Sequence, residues 1–275
     1  HLAAESHVDR SIAGPDDFVN TNILGTYILL KVAKINWLDN SVCNHLFHHV
    51  STDEVYGSLQ PEEAAFTETH PYAPNSPYSA TKAASDHLVR SYNKTYGLKV
   101  TTSNCSNNYG AFQFPEKLIP LCLINILQGI PLPIFGDGSQ IRDWLHVRDH
   151  CQGIELIIEK GTIGQTYNIG GDNEWKNIDV VTLICNTMND LFKASQNLKT
   201  SFPQSPCARD EDAKSLISYV EDRLGHDTRY AIDATRIKSE LNYSPAMTFE
   251  RGMKDTVEWY LKNKAWWTSI KERSN

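Results

Sequence analysis

No run of about 20 apolar residues occurs in this chain, so no membrane-spanning helix is expected. Nor is there a basic, then apolar, leader pattern. The six cysteines (Cys43, Cys105, Cys122, Cys151, Cys185 and Cys207) form no C-x-x-C pair. That spacing argues against a disulfide framework or a zinc ribbon and leaves buried, reduced thiols as the expectation. Ten histidines are present without an H-E-x-x-H pattern. His45, His48 and His49 cluster beside an apolar run, where packing is the expected role, and no metal is expected. Positive charge is in deficit: 26 Lys and Arg stand against 33 Asp and Glu, a net −7. Nucleic acid therefore has no electrostatic case as a partner. An anionic small molecule would have to be met by local arginines and lysines. Repeats and low-complexity tracts are absent, and the expected compartment is the cytoplasm.

A further absence is more specific. Folds that bind dinucleotides open with a strand, a Gly-x-x-Gly-x-x-Gly turn and a helix, because glycine lets a pyrophosphate approach the backbone at the helix N-terminus. This chain opens with His1-Leu2-Ala3-Ala4-Glu5-Ser6 and has no such turn. Gly136-Asp137-Gly138 and Gly170-Gly171 do not fit it, and neither fronts a β-α-β unit. The acidic residue that would hold an adenosine ribose is missing as well. The simplest reading is a chain lacking its first β-α units, with one parallel strand left unpaired on one side.

What is present suffices for a core. Hydrophobic residues make up 40% of 275, enough for a main domain with a smaller lobe. Leu46–Val50 reads as a buried strand and runs into Ser51-Thr52-Asp53-Glu54-Val55-Tyr56-Gly57. A hydroxyl and two carboxylates thus follow one another at a strand's C-terminal end, where open parallel sheets bind ligands. The second chemical group is Ser76-Pro77-Tyr78-Ser79-Ala80-Thr81-Lys82. Tyr78 and Lys82 share one helix face. An ammonium beside a phenol is expected to lower the phenol's pKa and fit it for proton abstraction. Alone, a Tyr-x-x-x-Lys spacing is ordinary surface-helix chemistry, and Asp-Glu after a strand is an ordinary turn or cap. Their occurrence together, in this order, is what carries weight.

Around these motifs, Asp16–Trp37 reads as a helix packed on the sheet through Phe18, Val19, Ile23, Leu24, Tyr27, Leu30 and Val32. Ser58–Pro77 reads as a surface loop able to cover the site. A helix over Tyr78–Tyr96 is closed by Gly97, and a strand over Lys99–Asn104 leads to Asn104-Cys105-Ser106-Asn107-Asn108, whose amides can donate to a sugar or diphosphate. From Pro131 the elements shorten. Arg142 can clamp a phosphate, or equally pair with Asp143. Asn177 and Asp179 precede a helix through Phe192. Lys193–Lys214 is polar and aperiodic and reads as a mobile insertion. No role is assigned to the tail from Lys264.

The combination of Thr52-Asp53-Glu54 with Tyr78-x-x-x-Lys82 resembles the extended short-chain dehydrogenase/reductase family, and within it the nucleotide-sugar 4,6-dehydratases. The resemblance runs through nearly the whole chain. It implies an α/β, Rossmann-like doubly wound parallel sheet, its first β-α units missing, with a smaller C-terminal α/β substrate lobe. Residues 1–130 would be the remainder of the NAD-binding domain and 131–275 mainly the substrate lobe, with some segments returning to the sheet. The resemblance also implies NAD as cofactor, held by Leu2, Ala3, Ala4, Glu5, Ser6, Thr21, Tyr78, Lys82 and Asn108. The substrate would be a nucleotide sugar, thymidine being the favoured nucleoside. It would be held by Ser6, Thr52, Asn107, Lys117 and Leu118, by Pro133, Ile134 and Phe135, by Arg142 and Asn177, and by Asp222-Arg223-Leu224-Gly225-His226.

The implied reaction removes water across C5 and C6 of a hexose after oxidation at C4. Tyr78 takes the hydroxyl proton with Lys82 in support, Thr52 bonds the C4 oxygen, Glu54 is the base at C5 and Asp53 the acid at C6. Opposite protonation states are expected of the two carboxylates. A nucleotide-sugar epimerase or decarboxylase shares Tyr-x-x-x-Lys but needs no Asp-Glu pair after the threonine. An inactive remnant that only binds nucleotide sugar or dimerises is the alternative suggested by the missing turn. A homodimer built on the Asp16 and Tyr78 helices is also implied. Two departures stand out: Ala111 and Leu224 lie where the family often has proline.

Overall fold

The computed structural model describes residues 1–274. In chain order its elements are α1 (Val8–Ala13), α2 (Asp16–Phe18), a π-helical segment (Val19–Gly25), α3 (Thr26–Ala33), a second π segment (Lys34–Leu38), β1 (Phe47–Thr52) and a 3-10 turn (Asp53–Tyr56). Then come α4 (Pro77–Tyr96), β2 (Val100–Cys105), β3 (Asn107–Tyr109), α5 (Leu118–Gln128), β4 (Leu132–Phe135), β5 (Ile141–His146), α6 (Val147–Lys160), β6 (Thr166–Ile169) and β7 (Glu174–Lys176). The remainder is α7 (Asn177–Ala194), α8 (Gln196–Ser201), β8 (Ile217–Val220), α9 (Thr235–Leu241), α10 (Phe249–Lys262) and α11 (Lys264–Ser274). The tail that carried no sequence expectation is therefore helical.

Two compact units divide the chain discontinuously. The first holds His1–Asn108, Asp143–Asp172 and Leu224–Ala246; the second holds Tyr109–Arg142, Asn173–Arg223 and Met247–Asn275. The first crossing falls after Asn108, and two later segments return to the first unit.

In the first unit, β1, β2 and β6 form a parallel sheet in that order. Phe47 pairs with Val100 and Thr52 with Cys105, while Cys105 pairs with Ile169. Register therefore brings Thr52, Cys105 and Ile169 to a common C-terminal edge. Helices cover both faces. Leu30, Val89, Tyr92 and Leu98 pack on Phe47 and Val100 on one side. On the other, Ile157, Ile237 and Leu241 pack around Leu145, Tyr167 and Ile169. Parallel strands covered on both faces are the doubly wound α/β arrangement.

The Asp16–Leu38 helix differs from its expected packing. Phe18 and Leu30 are buried, but Val19, Leu24, Tyr27 and Val32 remain exposed. Its apolar residues are spread around the helix and exceed what one sheet face can cover. The Ser58–Pro77 segment is pinned rather than free. Leu59 and Phe66 are buried, bridging to Arg229 and Ile232, and Asn168 Nδ2 donates to the Phe66 carbonyl at 2.9 Å.

In the second unit, α5, α7 and α10 pack on one another, burying Ile119, Leu123, Ile184, Met188 and Val257. β4 and β8 pair in parallel, from Leu132 with Ile217 to Phe135 with Val220. Lys193–Lys214 corrects the expectation of a mobile insertion. It contains α8 and two 3-10 turns, and buries Phe202, Cys207 and Ala213. Asn189 secures it, donating to Asp212 Oδ1 at 2.7 Å and accepting from Ala213 N at 3.0 Å. A few apolar anchors, spaced without helical or strand period, hold a segment whose composition is otherwise polar.

Candidate active site

β1 ends in Thr52, which caps the 3-10 turn. Its Oγ1 accepts from Glu54 N at 3.3 Å and donates to Asp53 Oδ1 at 3.2 Å. Asp53 is buried and Glu54 half-buried. The turn closes at Gly57, whose φ of 93° favours glycine and whose added Cβ would meet the Ala73 carbonyl oxygen at 2.5 Å. The local sequence thus produces a tight corner with two successive carboxylates.

α4 starts as its sequence dictates. Ser76 and Ser79 form a capping box, Pro77 occupies the first turn and Gly97 terminates the helix in the left-handed region. Ser11 Oγ accepts from Tyr78 N at 3.2 Å, satisfying a further first-turn N–H. Tyr78 and Lys82 are both buried. Lys82 Nζ donates to the Val50 carbonyl at 2.8 Å, which docks the Tyr-Lys face on the strand that carries Thr52.

The electrostatics correct one expectation. Tyr78 is held well above the ordinary phenol range, first by burial and then by the nearby Glu54 charge; the Thr52 hydrogen bond acts in the other direction. Lys82 does not figure among the causes. Its own pKa is lowered by burial, with the Asp86 charge opposing. Desolvation of the phenol outweighs the favourable effect assigned to the lysine. Cys105, also at the strand edge, is pushed up to about 12 by burial and is a neutral thiol.

The cofactor candidates of the first segment are Leu2, Ala3, Ala4, Glu5 and Ser6. Leu2, Ala3 and Ser6 are exposed, and Ala4 and Glu5 half-buried. Asn22 fixes this segment: Glu5 N donates to Asn22 Oδ1 at 2.9 Å, and Asn22 Nδ2 donates to the Glu5 carbonyl and to Thr81 Oγ1, each at 3.0 Å. Thr21 is half-buried on the first π segment. Asn108 Nδ2 donates to the Ser106 carbonyl at 3.0 Å, and Asn108 Oδ1 lies 2.8 Å from His150 Nδ1. Asn107 Oδ1 is buried with no hydrogen-bond partner among the described residues. Leu224 is 78% exposed, Gly225 has φ 63° and His226 is half-buried.

The substrate candidates of the second unit form their own group. Pro133, Ile134 and Phe135 lie on β4, and Asp222 and Arg223 follow β8, its partner strand. The Arg223 guanidinium sits 5.0 Å over the Phe135 ring. Arg223 N donates to Asp222 Oδ1 at 2.8 Å, and Gln140 Nε2 donates to Asp222 Oδ2 at 3.3 Å. Arg142 is buried and donates to the Ile141 carbonyl at 2.7 Å. Asn177 opens α7, its N–H donating to the Gln140 carbonyl. Lys117 caps α5 and Leu118 is its first residue.

A family model described as GDP-mannose 4,6 dehydratase matches residues 1–256. The chain belongs to the GDP-mannose 4,6-dehydratase family. A dTDP-glucose 4,6-dehydratase of Neisseria meningitidis is 52% identical over 275 residues, covering 98% of this chain and 74% of the relative. One from Escherichia coli is 52% identical over 285 residues, covering 100% of this chain and 76% of the relative. Among solved structures, a Streptomyces venezuelae dTDP-glucose 4,6-dehydratase with NAD bound superposes with TM-score 0.85 at 43% identity, covering 98% of this chain and 74% of that one. A Bacillus cereus UDP-glucuronic acid 4-epimerase with NAD bound gives TM-score 0.77 at 26% identity, covering 96% of this chain and 74% of that one. The fold is the α/β, Rossmann-like one, and the chain spans about three quarters of the length of these relatives.

Within this 4,6-dehydratase framework, the sequence reading missed Ser11, Tyr72 and Asp86, and gave Asn22, Ser51 and Asn104 none of the partners that the fold supplies. Asn22, Ser11, Ser51, Tyr72, Asn104 and Asp86 all make buried side-chain hydrogen bonds around the motifs. Their only sequence signal was polarity on otherwise apolar elements, as with Asn22 on its helix. Among the described residues no cluster of His, Cys, Asp and Glu can hold a metal ion, and no helix is long and apolar enough to cross a membrane.

Proposed function

We propose that this chain is the catalytic body of an NAD-dependent nucleotide-sugar 4,6-dehydratase that converts dTDP-glucose to dTDP-4-keto-6-deoxyglucose with loss of water. The observation that carries the reading is the docking of the buried Tyr78-Lys82 face on the end of β1, through Lys82 and Val50, directly before Thr52-Asp53-Glu54. The names of the 4,6-dehydratase relatives support the substrate.

The residues present fit the nicotinamide half of NAD. Lys82 uses one of its three N–H donors on Val50, leaving two for a ribose diol. When bound, NAD⁺ would supply the hydride acceptor for C4 and, once reduced, the hydride donor for C6. Tyr78 takes the C4 hydroxyl proton while Thr52 Oγ1 holds the C4 oxygen. The resulting 4-ketone acidifies the C5 proton, which Glu54 removes. Asp53 gives a proton to the C6 hydroxyl, which leaves as water. Glu54 then returns its proton to C5. Asn107 Oδ1, buried and without a partner among the described residues, is suited to a sugar hydroxyl. We assign NAD to the first unit. Within the second unit, Arg223, Phe135 and Arg142 offer charge and an aromatic face of the kind a nucleotide takes.

The epimerase neighbours share the fold, but their reaction needs no acid-base pair after the threonine. The test uses dTDP-glucose carrying deuterium at C4, with added NAD⁺. A dehydratase releases one water and delivers the label to C6. Asp53→Ala should block elimination while leaving C4 oxidation. Full turnover by that variant, or an epimer as product, sinks the assignment.

We also propose a homodimer. Leu24, Ile28, Val32 and Ile35 form an exposed apolar side of the Asp16–Leu38 helix, and light scattering at the mass of one chain would refute it. A cytoplasmic location fits the six free cysteines. Recovery of the native protein outside the cell would contradict it.

A further inference from the structure

Helix α4 grips the end of β1 through two side chains one turn apart. Lys82 donates to the Val50 carbonyl, and Asp86 Oδ2 accepts from Ser51 Oγ at 2.8 Å. Val50 and Ser51 immediately precede Thr52-Asp53-Glu54. Asp86 Oδ2 also accepts from Tyr72 OH at 3.0 Å, and its Oδ1 lies 3.0 Å from His49 Nε2. His49 is fully buried and its Nδ1 has no partner among the described residues. Nε2 also lies 3.3 Å from Ser85 Oγ, whose own proton goes to the Lys82 carbonyl, so the network assigns the imidazole proton to Nε2, on the side of Asp86 and Ser85.

Tyr72 carries the network onward. Asn104 Nδ2 donates to Tyr72 OH at 3.3 Å and to Tyr56 OH at 2.9 Å, and Tyr56 OH donates to Asn168 Oδ1 at 2.9 Å. Tyr56 ends the 3-10 turn that Asp53 begins. The turn bearing both carboxylates is thus held on each side: at Ser51 by Asp86 directly, and at Tyr56 through Asn104 and Tyr72.

A carboxylate persists in a buried site only where donors and opposite charge offset its lost hydration. Asp86 is 5% exposed. Two hydroxyls and an imidazole face it, and its charge acts on Lys82 against the effect of burial. An amide in its place would offer one acceptor oxygen and turn an NH₂ toward groups that are themselves donors.

We propose that Asp86 is a positioning residue, which holds the strand end carrying Thr52-Asp53-Glu54 in register with the helix face carrying Tyr78 and Lys82. This inference rests on the dehydratase reading of the same site. Asp86 touches neither substrate nor cofactor in that scheme, so its loss acts on alignment rather than on binding.

The test compares the parent chain with Asp86→Asn and with the milder Tyr72→Phe. Two readouts are taken: kcat and KM for the nucleotide sugar with NAD⁺, and the His49 imidazole resonance in protein without ligands. In Asp86→Asn, kcat is expected to fall about 100-fold, the scale of an ångström misplacement, with KM within about threefold and the His49 resonance shifted. Tyr72→Phe should lose about tenfold, and the double variant should be no worse than Asp86→Asn, because the groups act as a unit. An unchanged kcat in Asp86→Asn overturns the positioning role alone. If that variant does not fold, an unchanged kcat in Tyr72→Phe overturns it instead. A parent chain that turns over no nucleotide sugar sinks the dehydratase reading and the positioning role together.

Discussion

Mild acid should destabilise this protein through two buried histidines. His48 lies between Thr101 Oγ1 at 2.9 Å and Ser103 Oγ at 3.1 Å, and burial lowers its pKa to about 3. His150 meets Asn108 through Nδ1, leaves Nε2 buried without a partner among the described residues, and is lowered to about 4. The unfolded value is about 6.5. As pH falls below that value, the unfolded chain binds protons that the folded chain refuses, so stability falls with pH until the folded values are reached. From about pH 7 to about pH 5 each histidine costs about 2 kcal/mol, about 4 kcal/mol together, at 1.36 kcal/mol per pKa unit. That is a large share of a typical stability of about 5–15 kcal/mol. His49, also lowered by burial, acts in the same sense. Glu68, raised by burial, acts in the opposite sense. Urea unfolding at the two pH values, followed by tryptophan fluorescence, measures the difference. His150→Gln should reduce it by about 2 kcal/mol. An unfolding free energy that does not change over this range would refute the reasoning.

Three further outcomes follow from named contacts. Tyr78→Phe keeps the ring packed edge-on to Phe18 but removes the proton acceptor. Nicotinamide reduction, followed by absorbance, should drop about 100-fold or more with little change in melting temperature, and reduction at the parent rate would exclude Tyr78 as the base. Gly57→Ala forces a Cβ against the Ala73 carbonyl at positive φ. It should cost about 2 kcal/mol, a melting shift of roughly 4–8 °C, and an unshifted melt would mean the corner is not held as described. Phe202→Ala removes an anchor of the 193–214 segment, 6% exposed and facing Phe192. A loss of about 3–5 kcal/mol is expected, whereas a loss below about 1 kcal/mol would place that segment outside the packed core.

Much of the site was legible because its signals are local. Helix α4 could be bounded from Ser76-Pro77 and Gly97, since caps act within a turn of the residues that make them. That Tyr78 and Lys82 share a face follows from helical period alone. β1 was read as a strand from its apolar run, and its two following carboxylates then had to lie at the strand's end.

Other properties depend on which faces meet. Asp86 reads as an ordinary polar position on an amphipathic helix until packing places it against Ser51, Tyr72 and His49. Asn22 becomes a clasp for Glu5 only because its helix packs beside α4. The rise in the Tyr78 pKa reverses the sequence argument, because desolvation is a property of the finished core and not of a Tyr-Lys spacing. The order of the 193–214 segment rests on Asn189 and three apolar anchors, which no periodicity announces. The sequence by itself determined the helix caps, the strand ends and which carboxylates, hydroxyl and phenol the motifs present, since each is set within a few residues. Only the tertiary structure decided which polar side chains hold those groups in place and how burial tunes them, since partners distant in the chain meet only when the sheet and its helices assemble.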